Sequence, residues 1–237
     1  LSERLFSDLV ASYGPQLESS VDRLPGASAV PFLLRQIFNA PYILGLSAVA
    51  RIVDAEGPNG IDFWLVDPPR STEQLLHPER ANEPPITVSD PNLLDLLGVE
   101  WSLLGTDTIG EFVIRTLLAP SVGGFQASNA AEGWGGDRLV VYQDDQGAEL
   151  LAWNIHWDDT SEATEFASAA LAWLRDAYGG PQPDSLEDSI RFSNSRAGGW
   201  LFTIDDQTWL LMGTDSDALD RVAEGTRERA LLAAALP

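Results

Sequence analysis

No cysteine and no lysine occur in these 237 residues, and histidine is limited to two positions. Without cysteine there are no disulfides, thiolate zinc sites or cysteine nucleophiles. Without lysine, 14 arginines carry all the permanent positive side-chain charge against 36 acidic residues, for a net charge of −22. Such a surface repels phosphate backbones and anionic headgroups, so no nucleic-acid partner is expected. Nor is membrane insertion. The longest apolar stretch, Pro31 to Val53, is interrupted by Arg35, Gln36, Asn39, Pro41 and Arg51. A signal peptide is equally missing, because Leu1 to Val10 carries Glu3, Arg4 and Asp8, and a start at Leu1 reads as a trimmed chain. A catalytic zinc helix needs two histidines four apart with a glutamate between them. His77 is followed by Pro-Glu-Arg and His156 by Trp-Asp-Asp, so neither opens that motif. No metal site or cofactor is expected in this chain, and the absence of G-x-S-x-G leaves a serine nucleophile unsupported.

What is present is organised around Asp67 to Arg80, DPPRSTEQLLHPER. Pro68 and Pro69 bring the chain in extended, and Ser71 can then cap a helix by accepting from the Gln74 amide. Ser71-x-x-Gln74 fits a capping box, in which the Gln74 side chain returns to the Ser71 amide, and Pro78 closes the helix. Glu73 and His77 are four apart and share a helical face, the geometry of a two-ligand metal half-site, for which no third ligand is identified. Pro78 favours extended geometry at His77, so the spacing also fits a purely structural role. Glu111 is a third candidate, as a general base. Thr108-x-x-Glu111 reads as another capping box, and Glu111 stands four before Arg115, which accounts for it without chemistry.

Ahead of that segment the pattern is helical. Leu5, Leu9 and Tyr13 make one apolar stripe, a second helix is expected from Ser28 to Asn39, and Pro41 opens a third to about Ala55 that is apolar nearly all round and so buried. After it, ERANEPPITVSDPN reads as a linker with a short strand at Ile86 to Val88, which divides the chain into a helical part, 1–80, and an α+β part, 81–237. Val99 to Leu104 is expected as a strand and Asp107 to Leu118 as a helix. The run Trp134, Gly135, Gly136, Asp137 reads as a glycine loop around a packed tryptophan that leads into a strand at Arg138. Leu139–Gln143 and Glu149–Trp157 form a hairpin, with Trp153, Ile155 and Trp157 on one face and His156 on the other. A helix capped at Asp159 follows. Trp200–Ile204, Thr208–Gly213 and a helix capped at Thr214 or Asp215 repeat the plan, with a further strand at Ser189–Ser193. Two β-β-α units therefore predict an α+β fold in which the helical N-terminal part packs on an antiparallel sheet with helices on one face. The pairs Asp144-Asp145, Asp158-Asp159 and Asp205-Asp206 fall at turns and caps and lack the spacing of a calcium loop.

The segment DPPRSTEQLLHPER, together with Asn39–Val53, Gly105–Leu117 and the Ala131–Tyr142 block AEGWGGDRLVVY, resembles recurrent blocks of a group of secreted zinc-metallopeptidase-like proteins of actinobacteria and their neighbours. These blocks belong to the region after the zinc-binding helix of that group. The resemblance therefore implies a lipoprotein-like, extracellular or cell-surface protein and a non-catalytic C-terminal region, acting as a binding or accessory module. Its partner would be a peptide, a protein or an upstream catalytic segment of the same protein, and zinc would enter only through ligands supplied by such a segment. The alternative is a hydrolase that uses acidic residues and His77 in a groove between the helical part and the sheet.

Overall fold

The structure, a computed structural model, describes residues 29–179 and 189–235. The expected stripe of Leu5, Leu9 and Tyr13 lies outside them. The chain divides into two compact units, Leu1–Pro84 and Pro85–Pro237.

In the first unit, helix α1 spans Phe32–Glu56 without interruption and carries Pro41 inside it. The expected break at Pro41 does not occur. Proline removes one helical donor, and its exposed position leaves the orphaned carbonyl to water. The expected buried spine is also corrected, because only Ala48 and Ala50 are buried in this helix, while Phe38 and Tyr42 are 70% and 73% exposed. By length and composition alone α1 could cross a membrane. Its C-terminal turns do pack. Gly60 opens α2 (Gly60–Val66) so close to α1 that a Cβ there would lie 2.8 Å from Ile52 Cγ2. The segment IDFWLV is thus helical, with Phe63, Leu65 and Val66 exposed. A short helix α3, Glu73–Leu76, and a 3-10 turn at Pro78–Arg80 complete the unit, and Arg51 Nη2 donates to the Leu75 carbonyl at 2.6 Å.

The second unit is an α+β fold. It contains α4 (Leu94–Leu97), β1 (Trp101–Asp107), α5 (Glu111–Val122), α6 (Gly124–Asn129), β2 (Trp134–Asp144), β3 (Glu149–Trp157), α7 (Thr160–Tyr178), β4 (Ser189–Ser193), β5 (Gly198–Ile204), β6 (Gln207–Gly213) and α8 (Ser216–Ala234). All strand pairs are antiparallel, in the order β1-β2-β3-β6-β5-β4. The two hairpins β2-β3 and β5-β6 each lead into a helix, capped by Asp159 and Asp215 respectively, whose carboxylates accept from the first-turn amides.

Those helices lie on opposite faces, which corrects the expectation of helices on one face. Trp153, Ile155, Trp157 and Leu210 pack with Phe166 of α7 and with Ile114 and Leu118 of α5. On the other side Ala152, Trp200, Trp209 and Leu211 pack with Leu219 and Val222 of α8 and Leu97 of α4. Strands β3 and β6 are consequently buried on both sides, and two apolar faces demand two helical layers. Ile86 to Val88 forms no strand, although the Ile86 amide donates to Gly135 O at 2.6 Å.

Candidate functional site

The expected cap at Ser71 is corrected: the helix begins at Glu73 with Thr72 in the N-cap position and no side-chain cap, because Thr72 already has helical dihedrals and Ser71 lies one residue too early. Ser71 Oγ accepts from the Gln74 amide at 3.4 Å, but Gln74 Oε1 reaches past Ser71 to the Arg70 amide at 2.6 Å. The Gln74 side chain also donates from Nε2 to the Ala81 carbonyl at 2.9 Å and the Glu83 carbonyl at 3.0 Å. Gln74 therefore works as a staple between two stretches of irregular chain rather than as half of a capping box. Between those stretches lies a cleft of about 410 Å³, within the usual range for ligand sites. Its walls include Trp64, Pro68 and Pro69, and its polar groups include Asp67, Arg70 and Asn82. No carboxylate among the described residues pairs with the Arg70 guanidinium.

Two of the sequence candidates lie in the segment beside this cleft without lining it. Glu73 is buried, and its Oε1 is 3.2 Å from Arg80 Nη1. The pair ties α3 to the 3-10 turn that Pro78 opens. His77 leaves helical geometry at φ −119° and ψ 81°, as the following proline requires, and its Nδ1 lies 3.5 Å from Glu79 Oε1. Neither residue lines the cleft.

Glu111 belongs to the second unit, at the first turn of α5, and is 1% exposed. The helix starts at Glu111 rather than at Asp107, so the expected capping box with Thr108 does not form. Its place is taken by Asp137. Ile109 N and Gly110 N donate to Asp137 Oδ1 and Oδ2 at 2.8 and 2.7 Å. Trp134 Nε1 and Trp153 Nε1 donate to the same carboxylate at 2.8 and 3.1 Å. A carboxylate that is 2% exposed with four donors is a structural hub, because every lone-pair direction is committed. Sequence reasoning marked Asp137 only as part of the glycine block. The signal available was a lone acid beside a tryptophan in an apolar strand.

The glycine block is strand, not loop, since β2 begins at Trp134. A Cβ on Gly136 would lie 2.4 Å from the Ile86 carbonyl oxygen, so the missing side chain lets residue 86 lie against the sheet. No anion site arises there, as the run opens a strand and offers no helix dipole.

The second histidine faces the side of the sheet covered by α8. His156 Nε2 is 3.2 Å from Asn154 Nδ2, and burial pushes its pKa down, with Asp206 acting in the opposite direction. The paired aspartates serve turns and caps. Asp144 Oδ1 accepts from the Gln146 and Ala148 amides, Asp159 caps α7, and Asp205 takes φ +52° in the tight β5-β6 turn. Among the described residues no three acidic or histidine side chains are grouped to hold a metal ion.

The sheet and its helices are also the part of the chain that a family comparison recognises. Residues 101–223, from the first residue of β1 into α8, match the family described as Domain of unknown function (DUF8575). That region includes the Gly105–Leu117 and Ala131–Tyr142 blocks, whereas Asp67–Arg80 lies before it. No curated protein and no solved structure matches the chain. Because the match covers more than half of the 237 residues, the chain belongs to the DUF8575 family.

Proposed function

We propose that this chain is a binding or accessory module that engages a peptide or protein, and that it performs no hydrolysis itself. The observation that carries this reading is the division of labour in Asp67–Pro84. The residues with catalytic potential, Glu73 and His77, hold local structure through Arg80 and Glu79. The neighbouring cleft presents a guanidinium, an amide and a carboxylate beside an indole and two prolines. A wall of this kind suits an extended peptide, whose backbone offers donors and acceptors to Asn82, Asp67 and Arg70.

The exposed apolar side chains of the same unit, Phe38, Tyr42 and Phe63 among them, support a protein partner such as an upstream segment of a metallopeptidase-like protein. Lipid is a poorer occupant for α1. Arg35, Gln36 and Asn39 interleave with Leu34 and Phe38, and burying a guanidinium in hydrocarbon is costly. The reading places the protein outside the cell or at its surface, with any zinc supplied by the partner segment.

The hydrolase alternative is tested by assaying a labelled casein substrate with the wild-type chain, Glu73→Gln and His77→Gln, with and without added zinc. No turnover above buffer is expected from any of the three. Turnover by the wild type that either substitution abolishes in a folded chain would replace the binding reading with the hydrolase.

A further inference from the structure

Strand β1 is the terminal strand of the sheet, and among the described residues no strand pairs with its outer edge. Ser102 through Asp107 are all exposed, with Leu103 and Leu104 at 48% and 59%, and Val99 projects fully just before them. The outward-pointing N–H and C=O groups of an edge strand are a template for pairing with another chain. Proteins usually blunt such edges with lysine, proline or a covering loop, and β1 itself contains neither residue. Its one guard is a bulge between Leu103 and Gly105, where Leu104 has no partner on β2. The bulge divides the edge into two short runs, Trp101–Leu103 and Gly105–Asp107, with Leu104 exposed between them.

The charge around the edge selects the occupant. Glu100 precedes the strand, Asp107 ends it, and Asp144 stands opposite Trp101 with Asp145 next in sequence. A second copy paired antiparallel would set the acid at one end of β1 against the acid at the other, twice over, and like charges directly opposite are destabilising. A strand with an apolar centre and arginine or lysine on both sides meets Leu103 and Leu104 in the middle and carboxylates at each end. Those of Glu100, Asp144 and Asp145 are shared with no arginine among the described residues, and that of Asp107 is partly offset by Arg138, which donates to Thr106 Oγ1 at 2.8 Å.

We propose that the outer edge of β1 accepts an extended, cation-flanked apolar peptide segment of another protein as a seventh strand. Main-chain hydrogen bonds supply the attachment, and the flanking carboxylates supply selectivity and speed of encounter. The surface belongs to Pro85–Pro237, so it stands independently of the cleft in the first unit.

The test uses the full chain and a fluorescein-labelled peptide, Lys-Arg-Val-Thr-Ile-Val-Thr-Arg-Lys, read by anisotropy. Saturable binding is expected, with protection of the Ser102–Thr106 amides in hydrogen exchange. A glutamate-flanked version, and a version N-methylated at alternate residues, should each bind at least tenfold more weakly. Leu104→Pro should weaken binding tenfold while leaving the melting temperature close to wild type, because Leu104 lies at the bulge, where proline is tolerated. If Leu104→Pro loses the fold, the N-methylated peptide gives the same answer on the wild-type chain. No binding, or equal binding of the N-methylated peptide, overturns the proposal. So does a wild-type dimer that pairs through β1.

Discussion

Asp137 ties β2 to β3 and to the entry of α5 in the second unit. It receives two indole and two backbone donors in a site closed to water. Asp137→Ala would leave those four donors buried and unmet, so a loss of about 3–5 kcal/mol is expected. The measurement is a urea unfolding curve whose midpoint falls while its slope is kept. His156 adds a pH dependence of definite sign. Burial holds its folded pKa below the ordinary value of about 6.5, so the neutral ring is favoured in the native state. Stability from this group is complete above the unfolded pKa and is lost as the pH falls through the folded value. Between pH 7 and pH 5 the wild type should therefore lose melting temperature relative to His156→Gln, whatever common shift the changing net charge gives both. A change of the same size in both proteins would contradict the assignment.

At the scale of elements, two substitutions separate packing from propensity. Gly136→Ala would drive a Cβ into the Ile86 carbonyl, and a loss of about 1–3 kcal/mol is expected from the displaced segment. Pro41→Ala acts in the other direction. It restores a helical donor at an exposed position inside α1 and should stabilise the first unit by up to about 3 kcal/mol, read as a rise in melting temperature.

These elements also show how far the sequence could be read. The hairpins and the caps at Asp159 and Asp215 were legible because alternation and capping are local patterns. The placement of α7 and α8 on opposite faces was not. Strands β3 and β6 are apolar on both sides, so alternation along Trp153, Ile155 and Trp157 revealed one face and concealed the other. Pro41 does not break α1, because at an exposed helical position water can satisfy the carbonyl that loses its donor, which propensity alone does not register. The hold of Asp137 on the Ile109 and Gly110 amides that lead into α5 was hidden, since the carboxylate and those amides are 27 or more positions apart.

For the molecule as a whole, a net charge of −22 means that the folded chain works against its own repulsion. Raising sodium chloride from 0.05 to 0.5 M shortens the screening length from about 14 Å to about 4 Å, so the melting temperature should rise with salt. The same charge predicts that the chain will not cosediment with phosphatidylglycerol vesicles at physiological salt. Cosedimentation would turn attention to lipid as the occupant of α1. The candidate site was legible in part. The prolines and the Ser71–Gln74 spacing mark the segment that borders the cleft, but Glu73 and His77 do not line it, and Trp64, Arg70 and Asn82, which do, carry no local sequence signal. Which side chains face a cleft depends on how irregular chain is stapled, and Gln74 does that through carbonyls seven and nine residues away.

The central claim, that this cleft binds and does not cut, is tested most directly by passing a tryptic casein digest over the immobilised chain and identifying the retained peptides by mass spectrometry. The account predicts intact peptides held by the wild type and depleted several-fold on Arg70→Ala and Trp64→Ala, with Glu73→Gln retaining them if the chain stays folded. Retention that ignores Arg70 and Trp64, or the appearance of new cleavage products, would contradict it.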